Sequence, residues 1–413
     1  MRVRVGWGTI RAMPTPPPSS PTGSLAPDHL RVVQVRDRPG IIDLAWGHPE
    51  LSLLPAPALA EAAREALIAY GPDALSYGRD AGPPPFVSFV RERLDATDTR
   101  TPAADEIVVT AGASQGLDLV VTLLTTPGDV VLVEEPTYHL AVRILRDHPV
   151  EIVPVAFDGG GIRTDAAGDA IARLKAGGRR VRLLYTIPTF HNPTGVTLVD
   201  GRRRELVDLA TAEGVTIVED DVYRELGYDA PAPPSLWSIA VPGSVVRLGS
   251  FSKTIGPGLR AAYLTADAAT AARIVGSGLL DSGGGMAHLP ALIISTWAAT
   301  GAFPDHVASL KRTYAARRDA TLAALAVHIP DAAWTQPRGG FFTWVTLPGS
   351  LDAATLLPAA EARGMGYVPG RRFYVAGDGG RSSLRLAFTR YAEADLAEAV
   401  RRLGAAVRDA RRR

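Results

Sequence analysis

Among the 44 basic residues only Lys175, Lys253 and Lys311 are lysines, and the other 41 are arginines. A guanidinium stays protonated and cannot act as an amine nucleophile, whereas a lysine amine can lose its proton and form a Schiff base. Lys175 closes the helical run DAIARLKAGG and Lys311 lies in the amphipathic run HVASLKRTYAARRDATLAAL, so both read as solvated charges. Lys253 differs. It follows the apolar run SVVRLGSF within SFSKTIGPGLR, where hydroxyls and glycines mark a strand end running into a loop.

The elements that must position this amine are short β-branched runs: DEIVVTAG, GDVVLVEEP, EIVPVAF, RVRLLYTIP, GVTIVEDD and SVVRLGSFS. Each is followed by helical or loop sequence, a rhythm that predicts an α/β fold with a mostly parallel sheet covered by helices on both faces. In such sheets ligands gather beyond the carboxyl ends of the strands. After DEIVVT comes AGASQG, with Ala113 and Ser114 opening a helix whose N-terminus suits a phosphate. The next strand ends deliver Tyr138, then Asn192 in HNPTG, then Asp220, Asp221 and Tyr223, and finally Ser250, Ser252, Lys253 and Arg260. One ligand accounts for this set: a planar, phosphorylated aromatic aldehyde with a ring nitrogen. A lysine would take the aldehyde, a carboxylate the protonated nitrogen, a tyrosine or asparagine the phenolic oxygen, and hydroxyls with an arginine the phosphate. That ligand is pyridoxal 5′-phosphate.

HNPTG, VEDDVY and SFSKTIGPGLR, in this order, resemble the fold-type I pyridoxal-phosphate enzymes, specifically class I/II aminotransferases. The 2-aminoadipate and kynurenine aminotransferases and the aminotransferase half of MocR regulators are the nearest in kind. The resemblance runs from about Ile41 to Arg390 and implies a large domain with a mostly parallel central sheet plus a smaller α+β domain. It implies Lys253 as the lysine that forms the aldimine, Asp220 as the partner of the ring nitrogen with Asp221 as its near rival, and Asn192 and Tyr223 at the phenolic oxygen. Ala113, Ser114, Ser250, Ser252 and Arg260 would form the phosphate cup, with Tyr138 stacked on the ring. Tyr77 in LSYGRDAG resembles a tyrosine that reaches the phosphate of a neighbouring subunit, so a homodimer is expected. Arg385 in SLRLAFTR resembles the arginine that grips the substrate α-carboxylate, a task that suits its planar fork.

The segment LAWGHPELSLLP resembles the family's substrate-covering loop, but Trp46 stands beside Gly47 where a small glycine is usual. The indole could fill the substrate pocket, stack on a substrate, or turn outward and pack against the N-terminal arm. His48 and His191 border the expected site as bases, specificity contacts or plain loop residues. Ser282–Gly285 with His288 reads as a conformational loop.

At 413 residues the chain exceeds the usual span of one core. The expected division is a flexible Pro-rich arm over 1–27, an N-terminal segment over 28–70 packing with the small domain, a large cofactor-binding domain over 71–300 and a small domain over 301–413. A net charge of +1 gives no reason to expect a nucleic-acid partner, and no apolar run suits a membrane span. The lack of cysteine excludes disulfides, thiolate metal sites and a Cys nucleophile, and suits the cytoplasm. No metal site is expected. The reading is an aminotransferase acting on an L-amino acid and a 2-oxo acid. The alternatives are another pyridoxal-phosphate reaction (β- or γ-replacement, cyclisation or oxidation) and a MocR-like regulator, the latter disfavoured because the region before the enzyme-like part is short and proline-rich.

Overall fold

The computed structural model describes residues 38–349 and 351–412. The Pro-rich arm expected over 1–27, and the following residues to 37, lie outside the described residues.

The chain enters through a two-residue strand, β1 (Ile42–Asp43), which pairs parallel with a partner far along the sequence. The central sheet follows: β2 (Ile107–Thr110), β3 (Val130–Glu135), β4 (Glu151–Asp158), β5 (Gly161–Ile162), β6 (Val181–Thr186), β7 (Thr216–Asp220), β8 (Val245–Ser250) and β9 (Ala262–Thr265). Their spatial order is β2-β9-β8-β7-β6-β3-β4-β5. The pairs β8–β7, β7–β6, β6–β3 and β3–β4 are parallel, and β9 runs antiparallel between β8 and β2. All six strands expected from the sequence are present in this sheet, joined by β5 and β9.

Continuous apolar runs form these strands because both faces of the sheet are covered. Along β3, Val131 and Val133 belong to one buried cluster, while Val130 and Leu132 belong to another on the opposite face. Val246 and Leu248 of β8 face the first cluster and Val245 the second. Each fully buried aliphatic of this kind contributes about 1.5–3 kcal/mol. Flanking helices supply the cover, including Ala113–Leu124 on one face and Thr164–Ala176 with Asp200–Glu213 on the other.

A second sheet has the order β10-β11-β14-β13 and is antiparallel throughout. Its strands are β10 (Ala333–Trp334), β11 (Phe342–Thr346), β13 (Val368–Pro369) and β14 (Ser383–Ala387), while β12 (Met365–Gly366) pairs with β1. Helix Glu393–Arg411 packs Leu396, Val400, Leu403 and Val407 against Val345, Leu384 and Leu386. The long helix Ala302–His328 buries a stripe at Phe303, Val307, Leu310, Tyr314 and Leu325, close to helical spacing.

Beneath the carboxyl end of β7 lies a buried ion cluster. Arg247 donates from Nη1 to Asp98 at 2.6 Å and contacts Asp221 through Nη2 at 3.0 Å, while Arg224 Nε donates to Asp221 at 2.5 Å. Removing one partner from such a cluster leaves an uncompensated buried charge, so its members hold one another in place.

Candidate active site

The carboxyl ends of β2, β3, β6, β7 and β8 present their residues on one side of the central sheet. Lys253 follows β8 by three residues, and its Nζ donates to the carbonyl of Gly47 at 3.2 Å. It lies 5.4 Å from the centroid of Phe341 and 5.7 Å from that of Tyr223. Burial lowers its pKa to about 8; Asp220 pulls it up, and Arg385 and Arg260 push it further down.

Asp220 ends β7 and is buried, and its Oδ2 accepts from the hydroxyl of Tyr185 at 2.6 Å. Its Oδ1 is buried without a hydrogen-bond partner among the described residues. Burial raises this carboxyl to about 6, against the lowering effect of the Tyr185 hydrogen bond. Its neighbour Asp221 lies on the other side of the strand end, held by Arg224 and Arg247. The two aspartates differ in their partners: each has a buried Oδ1 without a hydrogen-bond partner among the described residues, but Asp221 is ion-paired to two arginines, whereas Asp220 is bonded by the neutral Tyr185 hydroxyl.

Tyr223 is buried, and its hydroxyl pKa is pushed well up by burial, with Asn192 alongside pulling the other way. Asn192 Oδ1 accepts from Arg385 Nη1 at 2.8 Å, which ties this end of the cluster to β14. Arg385 is buried, donates from Nη2 to the carbonyl of Ala45 at 2.6 Å, and leaves its buried Nε without a partner. The rings of Phe342 and Phe373 flank its guanidinium at 4.1 and 4.9 Å. Burial lowers the pKa of this arginine to about 10.

Ala113 and Ser114 open helix Ala113–Leu124, whose N-cap is Gly112 at φ 91° with no capping side chain. Helix-opening N–H groups without a cap are donors for an anion. A Cβ at Gly112 would fall 2.0 Å from Arg260 Nη2, so only glycine lets this guanidinium close over the helix start. Arg260 itself adopts the left-handed conformation at φ 48°, an uncommon one for a residue with a Cβ. Ser250 and Ser252 are joined by a 3.0 Å hydroxyl contact on the loop before Lys253, and half-buried Tyr138 caps the helix His139–Arg146.

These residues match the requirements of one ligand: a buried acceptor for a ring N–H, an amine, an anion cradle, and an arginine with a free edge for a carboxylate. The comparisons with known proteins agree. Residues 39–403 match the family model described as aminotransferase class I and II. The chain belongs to the class I and II aminotransferases. Aromatic-amino-acid aminotransferase 1 of Thermococcus litoralis is 32% identical over 387 residues, covering 92% of this chain and 90% of that protein. The crystal structure of a multiple substrate aminotransferase from Thermococcus profundus superposes with a TM-score of 0.86 at 32% identity, covering 91% of this chain and 93% of the other. An α-aminoadipate aminotransferase from Thermus thermophilus, solved with N-(5′-phosphopyridoxyl)-L-leucine, gives a TM-score of 0.81 at 32% identity, covering 90% and 93%. This aminotransferase uses pyridoxal 5′-phosphate, and its fold is that of the fold-type I enzymes. No helix among its described residues is long and apolar enough to cross a membrane.

The other expected residues border the cluster or lie away from it in this aminotransferase. Tyr77 is 82% exposed on the surface of the single chain. Trp46 sends its indole Nε1–H to Asp43 Oδ2 at 3.1 Å and stacks on His48 at 5.7 Å. Burial, Lys253 and Arg390 lower the His48 imidazole to about 4, so it is neutral at physiological pH. His191 is buried, with Nδ1 2.8 Å from the Thr194 hydroxyl and Nε2 3.0 Å from Glu134, and stacks on Phe157. Gly284 packs on the Tyr77 segment, where an added Cβ would lie 3.0 Å from Tyr77 Cβ, and His288 Nε2 lies 3.1 Å from the carbonyl of Asp73.

Sequence reasoning missed Tyr185, Gly112, Phe342 and Phe373. The signal for Tyr185 was a lone phenol in the aliphatic run VRLLYT, one strand away from Asp220. For Phe373, on a short 3-10 turn, the sequence carried no signal.

The Lys253 environment sets a pH dependence. The free amine is the form that reacts with an aldehyde, so protein stripped of cofactor should capture pyridoxal phosphate about tenfold faster per pH unit up to about 8, and level off above it. Stopped-flow absorbance would follow the capture. A midpoint near the ordinary lysine value of 10.5, or capture undiminished in Lys253→Ala, would contradict this.

Proposed function

We propose that this aminotransferase shuttles amino groups between an L-amino acid and a 2-oxo acid whose side chains include large apolar or aromatic groups. The observation that carries the reading is the joint presence of a lysine amine, a buried carboxylate with one open oxygen, and Arg385 with an unpartnered Nε. The aromatic walls around Arg385 and the neutral His48 favour apolar side chains over a second carboxylate. The relatives whose names specify aromatic amino acids or multiple substrates are consistent with this.

Pyridoxal phosphate, when bound, supplies a carbonyl that condenses with amines and a ring that accepts the electron pair left when the α-proton departs. Asp220 Oδ1 would accept from the ring N–H, and Tyr185 keeps Oδ2 fixed so that the open oxygen points one way. The helix start at Ala113 and Ser114, with Ser250, Ser252 and Arg260, would hold the phosphate; Tyr138 would cover the ring, and Asn192 and Tyr223 would reach its phenolic oxygen. Arg385 would take the substrate carboxylate through its free Nε edge, leaving the α-carbon beside Lys253. Lys253, released as a free amine, would carry the proton from the α-carbon and return it on the other side of the conjugated system. Its lowered pKa raises the free fraction near neutral pH well above that of an ordinary lysine. The rings of Phe341, Phe342 and Tyr223 around these groups exclude water.

The active unit on this reading is a homodimer, with Tyr77 reaching the phosphate bound by the partner subunit. Support comes from the exposure of Tyr77 together with Ile68 and Leu75, apolar surface on one short stretch of chain. The division into domains at 71–300 and 301–413 belongs to the same proposal.

Two experiments test this. Single-turnover mixing of cofactor-loaded protein with L-phenylalanine, L-leucine, L-2-aminoadipate and L-aspartate should convert the cofactor to its amine form fastest with phenylalanine or leucine, releasing the 2-oxo acid. Conversion only with the dicarboxylates would refute the side-chain class, and none with any amino acid would refute the transamination assignment to these residues. Sedimentation of the full chain should return a dimer, and Leu75→Glu should yield a monomer with weakened cofactor affinity. A monomer that holds cofactor as tightly would remove Tyr77 from the site.

A further inference from the structure

The segment Asp43–His48 crosses the site as a strap, and what it offers the site is backbone. The carbonyl of Ala45 accepts from Arg385 Nη2 at 2.6 Å and that of Gly47 from Lys253 Nζ at 3.2 Å. An added Cβ at Gly47 would fall 2.3 Å from the Phe342 ring, so the backbone lies directly on the aromatic wall beside Arg385. The ends of the strap are fixed: Leu44 exchanges backbone hydrogen bonds with Gly366 and Ala387, and the His48 carbonyl accepts from Thr389 Oγ1 at 2.8 Å.

Between these ends one side chain holds the strap. Asp43 is buried, its Oδ1 accepts the N–H of Ala45 at 3.2 Å, and its Oδ2 accepts the indole N–H of Trp46 at 3.1 Å. Arg38 Nη1 adds a 3.1 Å ion pair to Oδ2, and the Asp43 N–H donates to the Tyr391 hydroxyl at 3.1 Å. The bulky residue in this loop is thus tied back to its own strap rather than aimed at Arg385 or Lys253.

We propose that Trp46 and Asp43 are positioning residues: the indole–carboxylate hydrogen bond sets the pitch of the strap, and through the Ala45 carbonyl it sets the orientation of Arg385. A planar guanidinium held at Nη1 by Asn192 and at Nη2 by Ala45 can present its Nε edge in only one direction. When the strap carbonyl shifts, that edge turns, and the fit to a substrate carboxylate is lost before any chemistry. The proposal rests on the reading of Arg385 as the carboxylate site, and the experiment separates the two.

The test uses the cofactor-loaded full chain carrying Trp46→Phe, Asp43→Asn, the double change, and Arg385→Lys as a control. Trp46→Phe keeps an aromatic ring for the stack on His48 and removes the donor together with the pyrrole ring; Asp43→Asn puts an amide donor against N–H groups that the carboxylate accepts from Arg38, Ala45 and Trp46. Each single change should raise KM for the amino acid about 10-fold, with kcat changing less than 3-fold, the scale of a lost hydrogen bond to a charged group. Calorimetry with 3-phenylpropionate, a carboxylate that cannot react, should show Kd weakened by the same factor. Because the Trp46 indole acts through Asp43, the double variant should be no worse than Asp43→Asn alone. Effects that multiply, or a Trp46→Phe protein with unchanged KM and Kd, would overturn the proposal, and Trp46→Phe alone decides it where Asp43→Asn does not fold. If Arg385→Lys also leaves Kd unchanged, the carboxylate site itself is wrong; if only Arg385→Lys weakens binding, the site stands and the anchor fails.

Discussion

A buried carboxylate with one oxygen satisfied and one left open is the constraint around which this protein is arranged. Asp220 sits at the end of a central strand, bonded by Tyr185 on one side and unpartnered on the other. Burying an acceptor without a donor costs on the order of 1–3 kcal/mol, more for a charge. Its carboxyl is accordingly raised to about 6, mainly by burial. On the proposed reading a ring N–H would relieve that cost, which would then appear as cofactor affinity and ring protonation.

Keeping that oxygen open requires that the rest of the local charge be spoken for. The next residue, Asp221, would compete as a ring partner, but Arg247 and Arg224 hold it within a cluster shared with Asp98. Glu219, just before, is fully buried and caps the N–H groups of Leu236 and Trp237. Three consecutive acidic residues at one strand end thus have three different sets of partners: Asp220 faces Tyr185, while Glu219 takes backbone N–H groups and Asp221 the arginines. Across the cleft the same economy recurs with cations: Lys253 and Arg385 each lean on a strap carbonyl and keep a reactive edge available.

Much of the sheet and the loops at its ends was legible in sequence, since buried parallel strands read as β-branched runs and their exits carry the polar residues. The strand AYLT was not, because a four-residue run gives no direction, and only the pairing with β8 and β2 shows it to be antiparallel. Lys253 stood out because arginine had replaced lysine almost everywhere else. The different surroundings of Asp220 and Asp221 needed three dimensions: Arg247 lies 149 positions from its partner Asp98. Phe342 and Phe373 were invisible as partners of Arg385 for the same reason. Trp46 was conspicuous by type, but its direction depended on Asp43, three residues away across a turn.

The central claim, that Asp220 keeps an acceptor free for a protonated ring nitrogen, is tested most directly by nitrogen NMR of the protein loaded with cofactor labelled at that nitrogen. At neutral pH the wild-type resonance should report a protonated ring, and Asp220→Ala should return it to the unprotonated position. An unprotonated ring in the wild type, or a protonated one that survives the loss of Asp220, would contradict the account.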